Sequence, residues 1–287
     1  NGGADTLIGG TDNDTLKGDG GNDTLYGNAT NLGVSSNVLA QVGENDVAVF
    51  DGVATDYNVT RALDGSWRVE DIGAGETDSL YGIEGIDFGN DGVDLDLLAN
   101  VFVFDGAGNL VGTFATIAAG IAAADAGYTV EVHEGIYAEN LTVSEGITLK
   151  GVGNVTVDGA GSIALTVNGG GAGQMLSIDN IDFTGAGNQV ILVNSSAVYD
   201  SISLENGTVT GGKYNGLHVS NATGVAAISL DTVVFTGNAT TESGGAGEGP
   251  VSFYQYNGNI TLTGVTVENP GAAAENGIQF RGVNAPF

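Results

Sequence analysis

The clearest pattern of apolar and polar positions lies at the start of the chain, where a leucine recurs every nine residues. Leu7, Leu16 and Leu25 each follow an Asp-Thr pair, and mostly glycine, asparagine and aspartate fill the intervals. A strict short period of this kind is typical of a repeat architecture. Glycine, asparagine and aspartate tolerate the left-handed backbone conformations of tight turns. Residues 1–28 are therefore predicted to form very short strands joined by turns, with the leucines pointing inward.

The aspartates of these repeats, Asp5, Asp14 and Asp23, are predicted to lie in the turns beside main-chain carbonyl groups. Carboxylate and carbonyl oxygens are the ligands that calcium prefers. If two nonapeptides form one coil, residues 18 apart stack, which places Asp5 over Asp23. Asp14 then lies on the opposite side, and we expect it to lack a partner because position 32 of the simple period is leucine. We predict that the three aspartates bind calcium.

The same stretch resembles the RTX calcium-binding β-roll of secreted bacterial proteins, whose nonapeptide is G-G-x-G-x-D-x-(apolar)-x. Residues 9–17 and 18–26 match this pattern, except that Asp12 replaces the third glycine and Asp19 the second. Aspartate tolerates positive φ fairly well, so both turns are expected to survive. The resemblance implies a calcium-bound parallel β-roll, with Asp12 and Asp19 as additional candidate ligands.

Residues 46–112 are predicted to form a small β module after a linker at 29–45. Two alternating runs, 57–61 and 66–70, flank an Asp-Gly pair, which is a strong hairpin signal. Asp78 begins a D-S-L echo of the repeat core and is a further candidate calcium ligand. The module resembles the one that often follows RTX repeats, with D-x-A-x-F at its start and I-E-x-I-x-F at its end. We expect it to cap the roll.

Residues 113–126 have the spacing of an amphipathic helix. Phe114, Ile117 and Ile121 lie on one face, and alanines fill most of the remaining positions. Gly127 is the expected C-cap of this helix.

A second and longer period follows the predicted helix. Strand patterns beginning at Leu176, Ile202 and Ile228 are 26 residues apart, and a looser copy begins 32 residues later, at Ile260. A second family of alternating strands, beginning at residues 165, 191, 217, 251 and 278, runs in step with the first. One coil per ~20–30 residues is the signature of a parallel β-solenoid.

The entry to this solenoid resembles the pectin-lyase-like superfamily of right-handed β-helix proteins. The resemblance rests on the helix pattern, the following strand and the G-x-Y-x-E-N turn at residues 135–140. It implies that residues 113–287 form a right-handed parallel β-helix whose open N-terminal end is capped by the helix. The whole chain is therefore predicted to be all-β, with an RTX parallel β-roll and small β module preceding the helix-capped β-helix.

Members of this superfamily act on acidic polysaccharides at the outer face of one strand column. Here that column offers His218, Tyr254 and Arg281 as a base, an acid and a carboxylate clamp. The D-P-H-D motif of epimerases and the N-T-D, D-D and G-H-G motifs of polygalacturonases are absent, and no aspartate pair lies on the column. We therefore predict that the β-helix is not catalytic. A lyase or C5-epimerase acting on uronate polymers is the alternative.

Charge and composition narrow the choice of partners. The chain carries 35 acidic and 6 basic residues, a formal net charge of −29, which argues against nucleic acid and anionic membrane surfaces. The absence of cysteine excludes disulfides and thiolate metal sites. No apolar run reaches the ~18–20 residues of a membrane span. Because the chain begins in mid-repeat, we expect it to be a fragment or processed product.

Together these features predict a calcium-dependent structural or adhesive segment of a large secreted bacterial protein, such as an adhesin, a surface layer or a fibre, exported by type I secretion. Its expected location is the cell surface or extracellular matrix. The expected partners are calcium ions, further copies of the chain and a surface or matrix polysaccharide. A non-catalytic glycan-binding face using Tyr214, Tyr254 and Tyr256 is a third possibility.

Overall fold

The computed structural model describes residues 2–28, 45–89, 94–185, 187–239, 249–268 and 277–282. Residues 29–44 of the predicted linker lie outside the described residues. The chain forms two compact units, one of residues 1–99 with 107–113 and one of residues 100–106 with 114–287. Residues 100–106, which the sequence placed in the β module, thus lie with the β-helix.

The first unit is built from short strands that stack in parallel. Leu7 of the first strand lies opposite Leu25 of the third, which lies opposite Leu80 of the seventh. This sheet has the strand order β1-β3-β7-β6-β5. The strands are β1 (Thr6–Gly10), β2 (Thr15–Leu16), β3 (Thr24–Asn28), β4 (Val47–Phe50), β5 (Tyr57–Arg61), β6 (Trp67–Asp71), β7 (Glu76–Tyr81), β8 (Gly85–Phe88) and β9 (Leu95–Asp96).

A second sheet forms the other side of the roll, with the strand order β2-β4-β8-β9. Leu16 lies opposite Ala48, which lies opposite Ile86. Leu25 and Leu80 of the first sheet and Leu16, Ala48 and Ile86 of the second sheet are buried, whereas Leu7 of the first coil is partly buried. Each leucine-sized side chain that leaves water contributes about 1.5–3 kcal/mol. The roll therefore continues through β4, β7 and β8, which the sequence had assigned to a separate capping module.

The predicted hairpin extends the first sheet. Strands β5 and β6 pair antiparallel, and so do β6 and β7. Gly65 has a φ of +84° in the turn, a conformation that favours glycine. Trp67 is 1% exposed, with the Arg61 guanidinium 4.6 Å from its ring centroid. Trp67 therefore belongs to the core of the first unit.

One α-helix is present in the described part of the chain, and strands make up most of the rest. The elements after residue 100 are β10 (Val101–Phe104), β11 (Leu110–Phe114), α1 (Ile117–Ala123), β12 (Thr129–Ala138), β13 (Leu141–Val143), β14 (Thr148–Asp158), β15 (Leu165–Val167), β16 (Met175–Asp179), β17 (Asp182–Thr184), β18 (Gln189–Val193), β19 (Val198–Tyr199), β20 (Ser201–Glu205), β21 (Thr208–Thr210), β22 (Asn215–Ser220), β23 (Gly224–Val225), β24 (Ala227–Asp231), β25 (Val234–Thr236), β26 (Val251–Tyr254), β27 (Asn259–Thr263), β28 (Thr266–Glu268) and β29 (Ile278–Arg281).

The second unit is a parallel β-helix in which each coil pairs with the next. The first half of β14 pairs with β16, followed by β20, β24 and β27, and its second half pairs with β17, followed by β21, β25 and β28. A third column has the order β13-β15-β18-β22-β26-β29. Ile202 lies opposite Ile228, which lies opposite Ile260, so the predicted 26- and 32-residue steps are confirmed. The inward side chains form one continuous apolar core along the β-helix.

Helix α1 packs against β10, β12 and β13 at the N-terminal end of this core. Thr116 is its N-cap and accepts a hydrogen bond from the Ala119 N–H at 3.2 Å, and the fully buried Ile117 joins the core. The predicted C-cap was wrong, because the helix ends at Ala123 with Ala124 as its cap. Gly127, at φ +86°, belongs to the turn before β12.

Candidate metal centre

The turns on one side of the roll hold a column of three carboxylates, which we call ladder one: Asp5, Asp23 and Asp78. The Asp5 N–H donates to Asp23 Oδ1 at 2.8 Å, and the Asp23 N–H donates to Asp78 Oδ1 at 2.7 Å. The predicted stacking of Asp5 over Asp23 is confirmed. The Asp23 and Asp78 carboxylates thus each tie their own turn to the preceding coil.

The turns on the opposite side hold ladder two: Asp14, Asp46 and Glu84. The Asp14 N–H donates to Asp46 Oδ1 at 2.8 Å, and the Asp46 N–H donates to Glu84 Oε2 at 2.7 Å. The expectation that Asp14 lacks a downstream partner was therefore wrong. Its partner is 32 residues away instead of the 18 that separate Asp5 from Asp23, so the simple period missed it.

Sequence reasoning missed Asp46 and Glu84 as members of the site. A signal was present, because Asp46-Val47-Ala48 and Glu84-Gly85-Ile86 repeat the acid-x-apolar order of Asp14-Thr15-Leu16. In each case the acid occupies the turn and the apolar residue two positions later faces the core.

Several of these carboxylates are buried. Asp23 is 2% exposed and Asp78 is 6% exposed, and neither forms an ion pair with a base among the described residues. The second carboxylate oxygens of Asp14 and Asp23 are buried without a hydrogen-bond donor in that part of the chain. Burying an unpaired charge is costly unless a counter-ion or a metal compensates for it. A cation bound at the ladders would therefore offset the cost of burying these unpaired carboxylates.

Burial raises the pKa of Asp78 from 3.8 to about 6. The hydrogen bond from the Asp23 N–H acts in the opposite direction, and the nearby charges of Asp23 and Glu76 raise the pKa further. A bound divalent cation would favour the ionised form of such a carboxyl.

Glycines allow the carboxylates to lie directly against the turns. A Cβ on Gly9 would lie 2.6 Å from Asp14 Oδ2, and one on Gly18 would overlap Asp23 Oδ2. Only a residue without a side chain leaves room for the carboxylate there. Carboxylate and main-chain oxygens in close proximity fit calcium, which takes 6–8 oxygen ligands.

No three acidic or histidine side chains within the described ranges converge closely enough to hold a metal ion by themselves. A calcium ion at either ladder would therefore need main-chain carbonyls or water among its ligands. This matches the preference of calcium for mixed oxygen ligands.

Asp12 and Asp19 occupy the left-handed turn positions that the repeat pattern usually gives to glycine. Their φ angles are +77° and +67°, as the sequence predicted. Both residues are exposed, and the Asp19 carboxylate lies 3.8 Å from the Lys17 ammonium. They shape the turns, and their carboxylates lie outside both ladders.

The candidate catalytic residues lie on strands β22, β26 and β29 of the third column, in two different rows of stacked residues. Tyr254 lies opposite Arg281 in one row, whereas His218 lies opposite Ser252 in another row, two positions earlier along the strands. His218 Nδ1 is buried without a hydrogen-bond partner among the described residues, and burial lowers the pKa of this imidazole. No orienting carboxylate for the imidazole is found within the same residues, which distinguishes this group from a general base held by an acid.

The three tyrosines of the suggested glycan-binding face, Tyr214, Tyr254 and Tyr256, are not all exposed to solvent. Tyr256 is fully buried, and its hydroxyl donates to the Asn259 carbonyl at 3.2 Å. Tyr254 is 36% exposed, and Tyr214 stacks beneath the Lys213 ammonium at 5.3 Å. Tyr256 is therefore excluded as a glycan contact.

Comparison with known proteins bears on the first unit. The family model for the RTX calcium-binding nonapeptide repeat, in four copies, matches residues 1–31. No curated protein matches the chain. No helix in the described ranges is long and apolar enough to cross a membrane. Proteins with these repeats are typically secreted. The carboxylate ladders thus begin in residues 1–31, the segment that matches the family model for RTX calcium-binding nonapeptide repeats.

Proposed function

We propose that the chain is a calcium-dependent structural or adhesive segment of a large secreted bacterial protein, located at the cell surface or in the extracellular matrix. The observation that carries the proposal is the stacking of buried carboxylates in both ladders, which begin in the RTX repeats. Calcium would neutralise these carboxylates and order the roll. Without calcium, their mutual repulsion opposes folding.

The proposed ligands are Asp5, Asp14 and Asp23 from the repeats, with Asp78 continuing ladder one. Their folding role follows from the backbone hydrogen bonds, because the Asp23 and Asp78 carboxylates hold the adjacent coil through its N–H groups. If calcium binds only the folded roll, its binding free energy adds to the stability of the fold, as in other small metal-dependent units. This behaviour suits export as an unfolded chain by type I secretion, followed by folding where calcium is abundant.

The β-helix would serve as a rigid spacer or a contact surface. Its continuous apolar core and helical N-terminal cap support a stable rod-like element. We propose that it is a right-handed β-helix of the pectin-lyase-like type, since connections between parallel strands are almost always right-handed. Further copies of the chain and a surface polysaccharide are the proposed partners.

The test is a calcium titration of the intact chain, followed by electron microscopy of the same sample. We expect calcium to increase β structure by circular dichroism and to raise the midpoint of thermal unfolding. Asp23→Asn should weaken this response, whereas Asp125→Asn should not, because Asp125 is exposed in the β-helix unit. Full β structure and an unchanged midpoint in a chelator would refute calcium-dependent folding. Filaments or sheets would support the structural role.

The alternative function is a lyase or C5-epimerase acting on uronate polymers. Its support is the adjacent placement of Tyr254 and Arg281. If this alternative holds, wild-type protein with calcium will act on uronate polymers in one of two ways. A lyase will release unsaturated uronate products, and an epimerase will invert C5 of uronate residues within the polymer. Arg281→Ala will abolish either reaction. We expect no turnover. Saturable glycan binding without product would instead support the non-catalytic binding face.

A further inference from the structure

The last coil of the β-helix in the described part of the chain leaves its apolar core partly open. This coil consists of β27, β28 and β29, each of which is the final strand of its column within the described residues. Leu262 of β27 is 38% exposed, whereas Leu230, which lies opposite it in the preceding coil, is 1% exposed. Ile260 is only partly buried, whereas Ile228 opposite it is 2% exposed. We call β27, β28 and β29 the open coil.

The open coil also presents strand edges to solvent. Among the described residues, no strand pairs with the outer edge of β27, β28 or β29. An unpaired edge carries N–H and C=O groups that can pair with another chain, and proteins often protect such edges with proline or lysine. The three strands contain neither residue. Because the terminal repeat of a solenoid needs a polar cap for solubility, the open coil favours contact with another polypeptide.

Charge does not oppose the approach of a second open coil. The described residues of this coil contain one acid, Glu268 in β28, and one base, Arg281 in β29. Their formal charges cancel, although the whole chain carries a formal net charge of −29. The outward position that Asp231 occupies in the preceding coil is occupied by Thr263 here. Two open coils can therefore come together without strong like-charge repulsion at the contact.

The opposite end of the β-helix is closed. Helix α1 packs against β10, β12 and β13 there, and its Ile117 is fully buried in the core. The open coil of one copy therefore cannot continue the core of another copy through that end. The surface that matches an open coil is a second open coil, which gives a two-fold, self-complementary contact.

We propose that the open coil is a dimer interface, through which two copies of the chain stack end to end about a two-fold axis. This inference rests on the proposed function, in which further copies of the chain are partners, and it names the surface that binds them. A two-fold rotation reverses the order of the strand columns around the β-helix axis. Strand β27 therefore pairs antiparallel with β27 of the other copy, and β28 of each copy pairs with β29 of the other. The contact closes on itself, so it produces a dimer and not a filament.

The side chains of the paired strands complement each other. Val267 and Phe280 both point inward, because each lies opposite a fully buried phenylalanine of the preceding coil. Placing Val267 of one copy opposite Phe280 of the other keeps both in the shared core and sets the register. Glu268 then lies diagonally across from Arg281 of the other copy, within reach of a long side chain. The two-fold axis generates this ion pair twice.

The first test measures the mass of the intact chain in calcium by analytical ultracentrifugation. We expect a dimer whose population rises with concentration. Leu262→Glu should raise the dissociation constant at least about tenfold, because dimerisation would bury its carboxylate in an apolar contact. The matched control is Leu98→Glu, since Leu98 is a 58% exposed leucine of the first unit, and it should dimerise like wild-type protein. Circular dichroism checks that both variants keep their β structure.

The second test uses charge reversal, which separates the proposed contact from a folding defect. Glu268→Arg and Arg281→Glu should each dimerise at least about tenfold more weakly than wild-type protein, because each places like charges across the contact. An equimolar mixture of the two variants restores both ion pairs and should form mixed dimers as tightly as wild-type protein. A misfolded variant would not be rescued by mixing.

The outcomes separate this inference from the proposed function. Wild-type protein that folds with calcium but stays monomeric would overturn this inference, assign the open coil to a different polypeptide, and leave calcium-dependent folding intact. A dimer that persists in Leu262→Glu, or charge variants that mixing does not rescue, would also overturn it. If calcium has no effect on folding and the chain still dimerises through Leu262, the proposed calcium dependence fails while this inference stands.

Discussion

Asp78→Asn should have opposite effects on the first unit with and without calcium. The substitution removes a buried charge but keeps an oxygen that can accept the hydrogen bond from the Asp23 N–H. In a chelator, we expect the variant to be more stable than wild-type protein. In calcium, we expect it to gain less stability than wild-type protein, because one ligand charge is missing.

The magnitude follows from the pKa of the carboxyl. Burial raises the pKa of Asp78 from 3.8 to about 6. A shift of about two units corresponds to about 3 kcal/mol at pH 7, at 1.36 kcal/mol per unit. Since the pKa is raised in the folded state, the protonated carboxyl stabilises the fold below pH ~4, and this stabilisation is lost as the pH rises through about 6. The advantage of the variant should therefore shrink to less than about 1 kcal/mol at pH 4.

The assay is urea unfolding in a chelator, followed by the fluorescence of Trp67. The chain contains one tryptophan, and it is 1% exposed in the first unit, so the signal reports that unit without a contribution from the β-helix. Urea is preferred to guanidinium chloride because it does not screen charges. Other carboxyls titrate in both proteins, so the quantity of interest is the difference between the two free energies of unfolding at each pH.

Two results would refute this reasoning. One is a calcium-free variant that is less stable than wild-type protein at pH 7. The other is a difference between the two proteins that stays constant from pH 7 to pH 4, which would mean that the Asp78 charge is already compensated in the absence of calcium.

Three further predictions concern other parts of the molecule. Gly27→Ala should destabilise the first unit by about 2–3 kcal/mol, because its Cβ would overlap the Gly82 carbonyl oxygen. Gly3→Ala, with open space at its Cβ, should change Trp67-monitored unfolding by less than about 0.5 kcal/mol, and equal effects would contradict the packing argument. Phe183→Ala should cost the β-helix about 3–5 kcal/mol in urea unfolding followed by circular dichroism, since Phe183 is 1% exposed, and a loss below about 1 kcal/mol would argue against a tightly packed core. Burial lowers the pKa of His218, so its contribution to stability is present above pH ~6.5 and lost as the pH falls. His218→Gln should flatten the pH dependence of the same unfolding signal between pH ~7.5 and ~5.5, and an unchanged slope would contradict this.

The periodic parts of the chain could be predicted closely. The nine-residue recurrence of leucine placed Leu7 opposite Leu25 and Asp5 over Asp23, because a short regular period leaves one arrangement that buries every leucine. The longer period set the register of the β-helix in the same way. A shift by one residue would turn its apolar side chains outward.

The breaks in the period could not be predicted. Asp14 and Asp46 are 32 positions apart instead of 18, so the chain between them contains an insertion relative to the simple period, and long insertions add little to the cost of loop closure. Residues distant in sequence can therefore occupy adjacent coils, and counting positions does not identify them. For the same reason, counting positions did not identify Glu84 as a member of ladder two.

The sequence by itself determined the all-β class, the two repeat systems, the aspartate-bearing turns of the roll and the strand columns of the β-helix. These features depend on which side chains point inward, and local periodicity specifies that. The tertiary structure alone decided that β4, β7 and β8 continue the roll, that Glu76 and Asp78 line a cavity with the repeat turn, and that Tyr256 is buried. Those features depend on which coils become neighbours after long insertions, and on how far each side chain is removed from water, which local sequence does not encode.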